Sequence, residues 1–104
     1  MMIHMEQIKI IGIKELDDKE VETVNRLAKE YYGKIQRAIK NLTSVVMHIK
    51  SYEKTGNRKK YSVSLKVVAP TRTFDSKAAE WELAKALHMA FNKVERMIEH
   101  RFHD

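Results

Sequence analysis

Residues 43–68 read Thr-Ser-Val-Val-Met-His-Ile-Lys-Ser-Tyr-Glu-Lys-Thr-Gly-Asn-Arg-Lys-Lys-Tyr-Ser-Val-Ser-Leu-Lys-Val-Val, and this stretch decides the fold class. From Thr43 to Tyr52, Val45, Met47 and Ile49 alternate with Val46, His48 and Lys50. From Tyr61 to Val68, Tyr61, Val63, Leu65 and Val67 alternate with Ser62, Ser64 and Lys66. A period of two sends alternate side chains to opposite faces of a sheet, and β-branched residues suit that half-buried surface. The connection, Glu53 to Lys60, contains the turn pair Gly56-Asn57, so the two strands are expected to be antiparallel neighbours. One of their faces is apolar, and the other carries Lys50 and Lys66.

Working outward from the hairpin, the N-terminal side supplies a strand and a helix. Gln7 to Ile13 alternates Ile8 and Ile10 with Gln7 and Lys9, and Gly12 ends or bends that strand. Asp17 or Asp18 then offers an N-cap, with Glu20 and Glu22 where a helix dipole favours negative charge. Val21, Val24, Leu27, Ala28, Tyr31, Ile35, Ala38 and Ile39 recur at steps of three and four, predicting one apolar stripe on a helix that ends near Lys40-Asn41. On the C-terminal side, Ala69-Pro70 breaks the second hairpin strand and Thr71 to Phe74 returns as a short edge strand. Asp75 or Ser76 is expected to cap a last helix whose stripe is Leu83, Leu87, Ala90, Phe91, Val94, Met97, Ile98 and Phe102.

The order β-α-β-β-β-α predicts a two-layer α+β domain, with both helices on one face of a mostly antiparallel sheet and the other face open. A length of 104 residues, 43% of them hydrophobic, with one Pro and three Gly, suits a single domain over 1–104, with residues 1–5 a flexible start.

Charge is the most informative feature of the composition. Lys and Arg number 20 against 14 acids, a net +6, which favours polyanionic partners: nucleic acid or an anionic surface. Between Gly33 and Arg72 stand ten basic residues, Lys34, Arg37, Lys40, Lys50, Lys54, Arg58, Lys59, Lys60, Lys66 and Arg72, opposed only by Glu53. That segment carries +9 and the remainder −3, so positive charge is concentrated at the end of the first helix and on the hairpin. One reading is a solvated surface, since lysines on strands and hairpins also discourage aggregation. The other is a surface for phosphate backbones, with Lys50 and Lys66 on the open face and Arg58, Lys59 and Lys60 crowning the hairpin. Tyr52 lies near them and could stack on a base. A lone tyrosine at a strand end more often packs or caps, and a sheet that reads single strands shows several aromatics, so shape recognition of structured RNA fits better.

Other chemistries find little support. Zero cysteines exclude disulfides, thiol catalysis and Cys-based metal sites. His100 and His103 share a three-residue spacing but lack a third ligand at metal-binding distance in sequence, and no metal or other cofactor is expected. His48 and His88 read as surface or boundary residues, and Met47, Met89 and Met97 as core or near-core. There is no P-loop, nucleophile elbow, H-E-x-x-H or paired carboxylate beyond Asp17 and Asp18, so a nonenzymatic role with no small-molecule substrate is expected. No apolar run is long enough to span a bilayer, and the start lacks the order of a secretory signal, so a cytoplasmic protein is expected.

Four stretches resemble the ribosome hibernation-promoting factors and ribosome-associated inhibitors. Ile8-Lys9-Ile10-Ile11-Gly12 is similar to the family's I-x-I-T-G opening. Residues 34–45, from Lys34 to Val45, resemble K-L-x-R-Y-x-D-R-I-x-x-V. Glu53-Lys54 followed by Arg58-Lys59-Lys60-Tyr61-Ser62-Val63-Ser64-Leu65 resembles E-K and R-H-K-V-E-V-T-L. Ala86 to Ile98 resembles A-I-D-x-A-x-D-K-L-E-R-Q-L. Lys40, Thr55-Gly56-Asn57, Ala84-Lys85, His88 and Asn92 depart from the pattern, as expected of a divergent short form. The resemblance implies the β-α-β-β-β-α domain already read from periodicity, resembling the double-stranded-RNA-binding-like fold. It further implies occupancy of the decoding channel of the small ribosomal subunit, held by rRNA contacts and silencing or protecting idle ribosomes. Lys34, Arg37, Lys54, Arg58 and Lys60 match basic family positions. Lys40, Lys50, Lys59, Lys66 and Arg72 join them from the charge pattern. The alternatives left open are a general binder of structured RNA and an oligomeric protein-interaction module that uses the open face.

Overall fold

The computed structural model describes residues 8–39, 41, 44–53, 56 and 58–102. The elements run β1 (Ile8–Ile11), a 3-10 turn (Ile13–Glu15), α1 (Asp18–Ala38), β2 (Ser44–Glu53), β3 (Lys59–Val68), β4 (Thr73–Glu80) and α2 (Leu83–Phe102). The sheet order is β1-β2-β3-β4. β1 pairs with β2 in parallel, and the other two pairings are antiparallel. This is the expected α+β architecture, with both helices on one face of a mixed sheet. The described Cα positions span 46 × 35 × 17 Å, the slab of one sheet and one helix layer.

The hairpin forms as the expected antiparallel pair, in a register that sets Met47 opposite Leu65 and Ile49 opposite Val63. Val45, Met47, Ile49, Val63, Leu65 and Val67 are all buried against the helices. From α1 they meet Val24, Leu27, Ala28, Tyr31 and Ile35, and from α2 Leu83, Ala86, Leu87, Ala90, Phe91, Val94 and Ile98. Tyr31 joins the two helices: its ring stacks on Phe91 with centroids 4.5 Å apart. Its hydroxyl lies 2.6 Å from His88 Nδ1 and 3.5 Å from Asn92 Oδ1. Burial, and then the nearby Glu95 and Glu30 carboxylates, push the Tyr31 pKa up. His88 and Asn92, two of the positions that depart from the family pattern, thus face the hydroxyl of an α1 tyrosine.

The start of α1 is set by a reciprocal cap. Asp17 Oδ1 accepts from the Glu20 backbone N–H at 2.8 Å, and Glu20 Oε1 accepts from the Asp17 N–H at 2.9 Å. The other carboxylate oxygen of Glu20 accepts a hydrogen bond from the Tyr61 hydroxyl, so one acidic residue both caps the helix and ties it to β3. Burial, then the bond to Glu20 and its charge with that of Asp17, pushes the Tyr61 pKa up to about 12. Gly12, just after β1, has φ +96°, and a Cβ there would stand 2.0 Å from the Ile49 carbonyl oxygen, so only glycine fits this exit.

Four expectations are corrected. Asp75 and Ser76 do not cap the last helix: they lie within β4, which extends to Glu80, and α2 begins at Leu83. The reason is burial alternation, since Phe74 and Ala78 point into the core while Ser76 donates to the Ala90 carbonyl at 2.8 Å. Met97 lies outside the core at 39% exposure, on the flank of the stripe formed by Val94 and Ile98. Ala38, at the last position of α1, is exposed, and the buried place falls to Ile39, which ends the helix as its C-cap. The first strand ends at Ile11 and not at Ile13, because Gly12 turns the chain and Ile13 enters the 3-10 turn; Gln7 lies outside the described residues. The expected flexibility of residues 1–5 falls outside the described residues, as do Lys40 and Lys54.

Candidate nucleic-acid interface

The strand registers arrange the open face of the sheet in rows. Lys9, Val46, Lys66 and Asp75 form one, and Ile11, His48, Ser64 and Lys77 the next. Lys50, Ser62 and Ala79 form the third. The last row pairs Tyr52 with Lys60, and Trp81 directly follows β4 beside them. Residues two apart along a strand are about 6.8 Å apart and neighbouring strands about 4.8 Å apart, so the face is a grid about 20 Å long between its first and last rows.

Five lysines, Lys9, Lys50, Lys60, Lys66 and Lys77, stand on this grid, and Asp75 is the one acid on it among the described residues. Asp75 is opposite Lys66. At about 10 Å in water two like charges repel by only ~0.4 kcal/mol, and physiological salt screens that further. The fold therefore carries the unneutralised face at small cost, and an anion bound there relieves it. Between the rows the surface dips into a shallow hollow of about 520 Å³, lined by Val46, His48, Ser64, Lys66, Asp75 and Lys77 among others. It is broad and open, the shape of a contact surface and not of a substrate pocket.

The sequence-predicted site residues separate into four places. Lys50, Lys60 and Lys66 share the open face. Arg58 and Lys59 lie at the hairpin end of the sheet; the sheet alternation puts half-buried Lys59 on the helix side, whereas Arg58 is exposed. Arg72 is exposed in the β3–β4 turn, at the opposite end of the sheet. Lys34 and Arg37 belong to the helix layer behind the sheet, near the C-terminus of α1, with Lys34 Nζ 5.0 Å from the centroid of the Tyr31 ring.

Three members of the face are not among the sequence-predicted site residues. Lys9 was legible as the outward residue of β1 but lies outside the basic run. Lys77 is hidden by the misplaced helix start, and its backbone carbonyl accepts from Lys93 Nζ at 2.7 Å, which pins α2 on β4. Trp81 is the third: its ring carries the Arg58 guanidinium at 4.4 Å and Lys60 Nζ at 5.6 Å from the centroid. Such contacts are worth about 0.5–1 kcal/mol at an exposed site and hold long cationic side chains in place. The alternation that should have revealed Trp81 continues from Asp75 through Lys77 and Ala79. No group of three or more His, Asp or Glu suited to a metal occurs among the described residues. No helix among them is long and apolar enough to cross a membrane.

No family model matches the sequence, and no curated protein matches it. Solved structures do match. A ribosomal subunit interface protein from Coxiella burnetii aligns with a TM-score of 0.66 and 18% identity, over 93% of this chain and 98% of that one. The N-terminal domain of Protein Y from Thermus thermophilus aligns with a TM-score of 0.62 and 12% identity, over 90% of this chain and 94% of that one. At such identities what is shared is the path of the chain, and it is shared nearly from end to end: this protein has the β-α-β-β-β-α fold of those ribosomal subunit interface and Protein Y structures.

Proposed function

We propose that this chain is a ribosome-binding protein that occupies the decoding channel of the small subunit, held by contacts from its open sheet face to rRNA phosphates, and so inhibits translation or protects idle ribosomes. The observation that carries the reading is the five-lysine open face presented by a fold that a ribosomal subunit interface protein also adopts. Lys50, Lys60 and Lys66 with Lys9 and Lys77 form the principal phosphate surface and Arg58 extends it at the hairpin end, while Lys59 contributes from the helix side of that end and Lys54 joins on the sequence resemblance. Lys34 and Arg37 serve as peripheral contacts from the helix layer and Arg72 from the far turn, and Lys40 joins them on the charge pattern of the sequence. The mechanism is steric: a slab held by many weak charge contacts excludes mRNA and tRNA, with no bond made or broken. The resemblance of Lys34 to Val45 and of the hairpin to hibernation-factor motifs points the same way.

Cosedimentation with purified small subunits, large subunits and whole ribosomes across a salt series tests this. The expected result is selective pelleting with small subunits, lost when mRNA and tRNA already fill the channel. Pelleting with unrelated duplex RNA as readily as with subunits makes the protein a general binder of structured RNA. Absence of binding to any RNA at physiological salt refutes the reading.

A further inference from the structure

The hairpin end of the open face holds an arrangement that phosphate binding leaves unexplained. Tyr52 is 48% exposed and Trp81 38% exposed, two of the four exposed large apolar side chains among the described residues; Tyr52 is registered opposite Lys60, whose ammonium lies over the Trp81 ring. Trp81 directly follows β4, the strand beside β3, so Lys60 on β3 lies between the strand of Tyr52 and the residue after β4. Arg58 lies over the Trp81 ring and adds a planar cation to the same corner. Lys50 stands in the adjoining row, and Lys50 and Tyr52 border a small polar hollow of about 80 Å³ with His48, Ser62, Ser64 and Lys77. Aromatic rings that stand outside the core cluster, set among cations on a sheet surface, have the composition of a stacking platform for bases.

We infer that Tyr52, Trp81 and Arg58 form a binding site for unpaired nucleobases of a single-stranded RNA segment, with Lys60 and Lys50 taking the intervening phosphates. This deepens the RNA-binding reading of the open face and rests on it. The reason for expecting shape recognition alone was that one tyrosine makes no platform. The fold removes that reason by bringing a second ring, from 29 residues further along the chain, under Lys60, the residue registered opposite the tyrosine. The protein thus combines a duplex-phosphate surface in the middle of the sheet with a corner that grips a splayed-out strand. Charge complementarity selects RNA over an apolar peptide as the occupant, because the rings are flanked by Lys50, Arg58 and Lys60 with no acid on the same rows.

The test separates bases from phosphates. Decaadenylate RNA and an abasic tetrahydrofuran–phosphate chain of the same charge are titrated into the full chain, and Trp81, its single tryptophan, reports stacking by fluorescence quenching. The expected result is saturable quenching by decaadenylate and binding roughly tenfold tighter than the abasic chain, the scale of one stacked base. Trp81→Leu and Tyr52→Leu, followed by anisotropy of labelled RNA, should each shrink that preference severalfold, while Trp81→Phe retains most of it. Salt dependence should be unchanged in these variants, which a ring that merely holds Arg58 in place would not leave so. Equal affinity of the wild type for the two chains, or a preference that survives Trp81→Leu, overturns the inference. If cosedimentation with small subunits persists in that case, the ribosome reading stands and only the base site falls. If binding to subunits and to both chains is absent, both fall.

Discussion

Lys50→Gln combined with Lys66→Gln is the perturbation that reads the open face most directly. The two residues lie two rows apart, about 14 Å along the sheet, which exceeds the screening length of about 8 Å at physiological ionic strength. Each therefore acts on phosphate independently. Both are exposed and neither is in the core, so the substitutions leave the fold intact. For duplex nucleic acid, log K falls with log salt by about 0.9 per phosphate contact. With five lysines engaged, a threefold rise in salt from 50 to 150 mM weakens the wild type by roughly 140-fold, and the double variant by only about 20-fold. The slope itself should drop by about 1.8. The assay is fluorescence anisotropy of N-terminally labelled protein with purified small subunits over a potassium chloride series at fixed magnesium. Asp75→Asn serves as the opposite control: removing the acid that faces Lys66 should tighten binding at every salt concentration. An unchanged slope in the double variant, with affinity retained, refutes the placement of RNA on this face.

Three further outcomes follow from the core and its links. Leu87→Ala removes a fully buried side chain of α2 and should cost roughly 2–5 kcal/mol by urea denaturation; a loss well under 1 kcal/mol would show that α2 packs by another face. Gly12→Ala places a Cβ 2.0 Å from the Ile49 carbonyl oxygen at φ +96°, and should destabilise on the order of 3 kcal/mol, with a near-neutral result ruling out this close approach of β1's exit to β2. Tyr61 holds its proton more tightly folded than unfolded, so its contribution is complete below pH 10 and is lost as pH rises from about 10 toward 12, at up to about 1.4 kcal/mol per pH unit. Tyr61→Phe should lower stability at neutral pH by about 1.5–3 kcal/mol through loss of the bond to Glu20, and make urea midpoints between pH 9 and 11 less steeply pH-dependent than in the wild type; parallel curves would contradict the link.

Much of this architecture was legible because it depends on local periodicity. The alternation around Val45–Ile49 and Tyr61–Val67 survives in the register, since a one-residue slip would turn every apolar side chain toward water. Asp17 is legible as an N-cap candidate because the N–H it accepts from lies only three residues on, while the return bond from the Glu20 carboxylate is seen only in the structure. The last strand was harder. Thr73 to Glu80 contains one large core residue, Phe74, with Ala78 behind it, and small or charged residues elsewhere, so its alternation is faint and Asp75-Ser76 imitates a helix start. It becomes a strand because β3 offers a free edge and α2 covers Phe74 and Ala78, neither of which is a property of the segment itself.

The candidate interface divides along the same line. The sequence by itself determined that Lys50 and Lys66 share a face, through strand parity and the hairpin that pairs their strands, whereas Lys60 joins them only because β3 begins at Lys59. It also determined that the basic charge is concentrated about the hairpin. Only the tertiary structure decided that Lys9 and Lys77 complete that face from β1 and β4, that Lys34 and Arg37 stand behind it on the helix layer, and that Arg72 lies at its far end. It alone also set Trp81 beside Tyr52, under Arg58 and Lys60. Such juxtapositions are fixed by pairing between strands distant in the chain and by the buried core that holds them, and neither leaves a mark on the spacing of the residues it brings together.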